Sequence, residues 1–235
     1  MDTHSSGGGA RTAWPRTVDQ ALAEQERIRG LADLTSPGPA PGNVRLVAGV
    51  DVSYATQGDA LVAAAVVLDA GTLETVEVSV VDGTVAFPYV PGLLAFRELP
   101  SVMAALEKLA CTPELLVCDG YGVAHPRRAG LAVHLGVLTG LPCFGVAKTP
   151  FVFGHGGVGE QRGDTAPLTS DDGEVVGRAL RTQPGVKPLF VSVGNAIGLD
   201  HACAHTLRLA RRFRLPETTR SADHLSRTRL RTITR

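Results

Sequence analysis

An α/β fold, with a mixed sheet covered by helices on both faces, is predicted by three observations. Three valine-rich runs, RLVAGVDVSY (45–54), ALVAAAVVLD (60–69) and LETVEVSVVDG (73–83), follow one another at hairpin-like distances. After them, segments of helical and of strand character alternate toward the end of the chain. The composition agrees: 235 residues with 44% hydrophobic and 20% charged residues match one sizeable globular domain. Hairpins supply antiparallel pairs and strand–helix–strand units supply parallel ones, so the sheet is mixed.

Each element has its own signal. Residues 1–15 are rich in Ser and Gly and are expected to be disordered. TVDQALAEQERIRGLADL (17–34) reads as a helix with Thr17 as N-cap, and SPGPAPGN (36–43) as a linker-like break. Pro91 and Gly92 open a helical stretch, LLAFRELPSVMAALEKLA (93–110), which Pro100 is expected to kink or divide. ELLVCDG (114–120) reads as a buried strand, RRAGLAVHLGVLTG (127–140) as a helix and PCFGVAK (142–148) as a further strand. Residues 151–174, rich in Gly and Asp, are expected to be loop or hairpin, followed by strands VVGRALRTQ (175–183) and KPLFVSVGN (187–195). LDHACAHTLRLARRF (199–213) has apolar residues at helical spacing, and a last basic helix is expected from about Ser221. No internal repeat is evident. The domain thus spans 16–225, between the disordered 1–15 and a basic tail, 226–235.

Formal net charge is zero, so no global field points to a polyanionic partner. Locally, the segment from His205 to Arg235 holds nine arginines against Glu217 and Asp223. Arginine dominates throughout, and Lys108, Lys148 and Lys187 are the only lysines. Cys111, Cys118, Cys143 and Cys203 have no zinc-type spacing and are expected to be largely buried thiols in a reducing compartment. The N-terminus lacks an apolar signal core, and no apolar run approaches the ~20 residues needed to span a bilayer. A cytoplasmic protein with no membrane partner is the expectation.

The acids point to chemistry. Asp51 interrupts an apolar strand, where an unpaired carboxylate is expensive and must be compensated by a hydrogen bond, an arginine or a metal. Asp119 ends the LLVC strand just before Gly120, and Glu98 lies on an otherwise apolar helical stripe. In sheets of this type sites form beyond the carboxyl ends of strands. Together the three acids favour a shared magnesium or manganese site, since hard divalent cations take oxygen ligands.

The chain also resembles a known family. LVAGVDVSY (46–54), PYVPGLLAFRELP (88–100), DGYGVAHPRRAGLAVHLGVLTGLPCFGVAK (119–148), KPLFVSVGN (187–195) and LPETTRSAD (215–223) are similar, in order, to the blocks of endonuclease V. The resemblance implies a ribonuclease H-like fold. It also implies nicking of DNA at the second phosphodiester bond 3′ to deoxyinosine in DNA repair, leaving a 3′-hydroxyl and a 5′-phosphate. A monomer acting with one or two Mg²⁺ ions, or Mn²⁺ in their place, is expected.

Roles carry over onto matching positions. Asp51, Glu98 and Asp119 look like the metal-binding acids, and Asp223, ahead of the neighbouring His224, looks like the fourth. Lys148 is implied near the scissile phosphate and His125 in phosphate contact or proton handling. Tyr89, between Pro88 and Pro91, resembles a stiff wedge that enters the duplex. Gly92, Gly120 and Gly122 are implied to shape the pocket for an extruded base, with Arg127 on a phosphate. Arg128 and Ala129 are expected to begin the helix that follows.

Two departures carry expectations of their own. Tyr121 is expected to narrow the pocket or stack in it. Asn195 and Ala196 replace a histidine-containing pattern, an exchange expected to weaken activity or alter metal preference. Two alternatives stand beside DNA cleavage. One is an endoribonuclease specific for inosine in RNA; the other is a protein that binds inosine or branched DNA without cutting it.

Overall fold

The computed structural model describes residues 13–234. The expectation of disorder for 1–15 therefore falls largely outside the described residues. The first helix, α1 (Val18–Leu31), is closed at its start by a capping box in which the Thr17 hydroxyl accepts from Gln20 N–H and the Gln20 side chain accepts from Thr17 N–H. The break at 36–43 holds one 3₁₀ turn, Pro41–Asn43, and Gly38 in it packs directly on the backbone of Ala196 and Ile197. It is a packed segment rather than a free linker.

Three strands follow as expected: β1 (Leu46–Tyr54), β2 (Ala60–Asp69) and β3 (Thr75–Thr84). Then come α2 (Leu94–Glu107), β4 (Leu115–Asp119), α3 (Leu131–Thr139) and β5 (Cys143–Ala147). The glycine-rich stretch contributes β6 (Gly154–His155) and β7 (Thr165–Thr169), which continue into β8 (Val175–Leu180) and β9 (Leu189–Asn195). Two helices, α4 (Leu199–Leu209) and α5 (Glu217–Ile233), complete the chain. All join one mixed sheet in the order β3-β2-β1-β4-β5-β9-β8-β7-β6, with β1, β4 and β5 parallel to one another and the other pairs antiparallel.

Three expectations are corrected. Pro100 does not divide its helix: α2 is continuous through it, because Leu99, Val102 and Ala105 on the same face are buried against the sheet, and that packing offsets one lost backbone bond. α3 begins at Leu131, not at Arg127; Arg128 stands in the preceding turn at φ +57, a conformation no helix contains. α5 starts at Glu217, before Ser221, and runs on through 226–233, where Ser226 is fully buried.

The helices divide between two cores. Val47, Leu115 and Val117 face α4 and α5, with Ala202, Leu209 and Ala222 in the same cluster. Their neighbours in sequence, Ala48, Val50, Leu116 and Cys118, face α2 and α3 with Leu99, Val102 and Leu135. This alternation is the two-residue period of strands buried on both sides. The cysteines are free, with Cys118, Cys143 and Cys203 buried and Cys111 half-buried. Among the described residues no helix is long and apolar enough to cross a membrane.

Candidate active site

The strand period assigns the acids to faces. Asp51 follows Val47 and Gly49 on the α5 face, and Asp119 follows Leu115 and Val117 on that same face. Asp223 approaches from α5, which packs across β1 and β2. Glu98 comes from α2, on the other side, where Tyr54 at the end of β1 also points.

Each acid has a partner. The Ser226 hydroxyl donates to Asp51 Oδ2 at 2.8 Å and lies 2.8 Å from the Ser53 hydroxyl. The Tyr54 hydroxyl donates to Glu98 Oε1 at 3.0 Å. Lys148, one residue beyond β5, places Nζ 2.5 Å from Asp119 Oδ2. Asp223 pairs with Arg227, one turn further along α5, at 2.8 Å. Ser226, Tyr54 and Arg227 were not singled out by the sequence; Tyr54 and Ser53 carried a signal, being the polar end of the VAGVDVSY run.

The acids feel one another. Burial pushes the Asp51 carboxyl up to about 7, the charges of Asp119 and Asp223 push the same way, and the Ser226 hydrogen bond opposes them. Burial likewise raises Glu98 to about 8, with further contributions from Asp51 and Asp119 against the Tyr54 hydrogen bond. As they lie, the carboxylates are turned to protein donors: among the described residues, no group of three or more acid, imidazole or thiol side chains is arranged to hold an ion. The donor set nevertheless fits a hard divalent cation. Mutually repelling, oxygen-only carboxylates, buried at Glu98 and half-buried at Asp51, Asp119 and Asp223, lose their repulsion when a positive ion shares their space.

Beside the acids lies a cavity of about 100 Å³ whose lining includes Asp119 itself. Its walls are Tyr89, Pro91 and Gly92 on one side and Gly120, Tyr121 and Gly130 on the other, with His125 and Phe151 also contributing. Gly92 and Gly120 adopt φ of +83° and +147°, turns that a side chain would strain. Tyr89 is 70% exposed at the mouth. Tyr121 lines the pocket, meets Phe151 edge-on at 5.2 Å, and its hydroxyl donates to Thr149 O at 3.1 Å.

His125 is buried against this wall. Its Nδ1 accepts from Arg127 N–H at 3.2 Å, which leaves the ring proton on Nε2. A side chain at Gly92 would sit 3.5 Å from that Nε2. Burial, with Arg127 and Arg128 adding their charges, lowers this imidazole to about 4, while a hydrogen bond to the Gly92 backbone works in the opposite direction. The ring is therefore neutral at pH 7 and braces the wall.

Other candidates lie elsewhere. Gly122 is not part of the cavity: a Cβ there would stand 1.9 Å from Val193 O, so the glycine serves the close approach of its loop to β9. Arg127 has an exposed side chain outside the cavity lining. Arg128 pairs with Glu174, donates to His125 O at 3.2 Å and lies over the Phe153 ring, tying the 121–130 loop to the turn before β8. Asn195 is remote from the acids. Its side chain accepts from Asp33 N–H at 3.0 Å and donates to Gly136 O and Leu141 O, at the end of β9 paired with the start of β5, whereas Asp119 pairs near the other end of β5. The expected effect of Asn195 on phosphate or metal thus has no geometric basis.

Comparison with known proteins gives a consistent answer. The family model described as endonuclease V matches residues 29–224. Endonuclease V of Streptomyces avermitilis is 61% identical over 221 residues, covering 94% of this chain and 96% of the relative. The crystal structure of that organism's endonuclease V superposes with a TM-score of 0.91 at 59% identity, over 95% of this chain and 97% of the other. The endonuclease V of Ciona intestinalis, solved with a 24mer DNA containing an inosine followed by a ribo-adenosine, gives a TM-score of 0.80 at 27% identity over 92% and 98% of the two chains. The sheet described above is the ribonuclease H-like fold of these structures.

Proposed function

This chain belongs to the endonuclease V family and is an endonuclease that hydrolyses DNA, and from that premise we propose that it nicks DNA at the second phosphodiester bond 3′ to deoxyinosine, in a divalent-cation-dependent reaction that leaves a 3′-hydroxyl and a 5′-phosphate. The observation that carries this reading is Asp119, which belongs at once to the acid group and to the lining of the cavity. One residue thereby links a place for chemistry to a place for a base.

Asp51, Asp119, Glu98 and Asp223 would hold magnesium, with manganese as a substitute. When bound, the ion supplies Lewis-acid activation of water and phosphate. The chain's own residues do the rest. Tyr89, exposed between two prolines, fills the gap left in the duplex when the damaged base leaves the stack. The base enters the cavity, where main-chain groups around Gly92 and Gly120 read its edge and Tyr121 and Phe151 limit its width. Lys148 Nζ, released from Asp119, offers its charge to the phosphoryl oxygens as negative charge grows there. Arg127, exposed beside the cavity, meets a neighbouring phosphate. His125, neutral and buried, holds the pocket wall in place.

A reader that binds without cutting drew its support from Asn195, and that residue lies away from the acids. The test is a nicking assay on end-labelled duplex carrying one deoxyinosine, with magnesium, manganese or EDTA, beside a matched strand with inosine as RNA. A metal-dependent nick one bond beyond the lesion's own 3′ phosphodiester is the expected product. Cleavage of the RNA strand only would replace the repair reading with inosine-RNA turnover, and tight binding without product would restore the reader.

A further inference from the structure

Helix α1 contributes no residue to the cavity lining, yet one of its side chains reaches both cavity walls. Its buried stripe is Ala21, Gln25 and Ile28, spaced for one helical face. Ala21 packs with Phe87, Leu93 and Phe96, which flank the Tyr89–Gly92 turn. Ile28 packs with Val123, Ala129 and Val133, on the loop and helix of the opposite wall. Between them sits Gln25, 1% exposed, where an apolar residue would be the ordinary choice.

The Gln25 carboxamide spends both N–H bonds on backbone carbonyls. Nε2 donates to Gly92 O at 2.9 Å and to Ala129 O at 2.9 Å, across 67 and 104 residues of sequence. Gly92 and Ala129 both line the cavity, and Gly92 is also the residue against which the His125 ring rests. The amide orientation is dictated, since a flip would point oxygen at two carbonyl oxygens. Oε1 is buried without a hydrogen-bond partner among the described residues, so the side chain is held by its two donor bonds. A buried amide with an orphaned acceptor is retained at a cost, and the two walls are what it secures.

We propose that Gln25 is a positioning residue for the cleavage reaction: it clamps the Gly92 turn to the Ala129 loop and so fixes the width of the cavity that holds the extruded base. This rests on the reading of that cavity as a base pocket. Asp119 also lines the cavity, but Gln25 touches none of the acids, so its loss acts on base holding before it acts on chemistry. Leucine or methionine at this position would fill the same space and leave the walls joined by apolar contact alone.

The test compares wild type, Gln25→Met and Gln25→Asn in binding to two duplexes, one with a single deoxyinosine and one undamaged, in EDTA. Methionine keeps the volume and removes both donors; asparagine keeps the amide but is one methylene too short to span both carbonyls. Thr206→Val, which removes a buried hydroxyl bond within α4, controls for general destabilisation. The preference of Gln25→Met for the inosine duplex should fall about tenfold, on the order expected for two neutral hydrogen bonds, with undamaged binding unchanged. In the nicking assay KM should rise while kcat moves by less than about threefold. Gln25→Asn should lose part of the preference, and Thr206→Val none. A preference equal to wild type in both Gln25 variants, or an equal loss in Thr206→Val, would overturn the clamp. A wild-type protein that does not distinguish the two duplexes would overturn the base-pocket reading, and the clamp with it.

Discussion

The acid group and the cavity beside it share Asp119, but they are built by opposite means. The acids sit on regular elements: β1, α2, the end of β4 and α5. Each is fixed by the period of its element and restrained by one side-chain donor. The cavity is built from turns, with Gly92 and Gly120 at positive φ, aromatic edges from Tyr121 and Phe151, and a wall braced by a neutral histidine. Strands and helices deliver charges to fixed points, which bond cleavage needs. Turns deliver backbone shape, which recognition of a planar base needs. The two regions should therefore fail differently when altered.

The largest effect is expected at the acids. Asp51→Asn and Asp119→Asn should each lower the nicking rate by about a thousandfold or more while keeping preferential binding to inosine-containing duplex, read by gel shift in EDTA. Loss of that binding preference in either variant would break the separation of the two regions. On the cavity side, Tyr89→Ala should cost about tenfold in nicking of the inosine duplex, with an unchanged melting temperature because the ring is largely exposed. An unaltered rate would remove Tyr89 from the wedge role.

Smaller effects sharpen the contrast. Ser226→Ala removes the hydroxyl that fixes Asp51 Oδ2 and should raise the magnesium concentration for half-maximal nicking by about tenfold, with the saturated rate little changed. An unchanged magnesium dependence would make Ser226 a packing residue.

Glu98→Gln separates charge from fold. The Glu98 carboxyl is raised to about 8 in the folded protein, above its ordinary value of 4.5, so the native state binds that proton more tightly than the unfolded chain. Its contribution to stability is thus fully present below pH 4.5 and is lost as pH rises to about 8, the reverse of a salt-bridged acid. In metal-free protein Glu98→Gln should melt a few degrees, roughly 2–6 °C, above wild type at pH 8.5 and level with it at pH 4.5. Equal melting temperatures at both pH values would show that Glu98 titrates as an ordinary acid and that its burial carries no electrostatic cost.

Much of this was legible in the sequence. The three opening strands, the strand–helix alternation and the positions of Asp51, Glu98 and Asp119 follow from runs and periods confined to a few residues. Pro100 misled because propensity speaks for an isolated helix, whereas α2 is held by Leu99, Val102 and Ala105 in the core. Gly122 misled because glycine beside a pocket and glycine under a neighbouring strand look alike until β9 is in place. Asn195 looked like a defect in the site and proved to tie Asp33 to the opposite end of the sheet.

By itself the sequence determined most of the elements that form and placed Asp51 within one strand and Asp119 at the end of another; that the two face the same helix was decided by the parallel register of β1 and β4 and by the packing of α5. Only the tertiary structure decided what each polar group meets: Ser226 on Asp51 across 175 residues, Tyr54 on Glu98 across 44, and Gln25 joining the two cavity walls across 67 and 104. The reason is one of range. Backbone geometry imposes its periods on neighbours in the chain, so they can be read locally. Pairings over such separations exist only once packed elements bring the partners within the ~3 Å that a hydrogen bond requires.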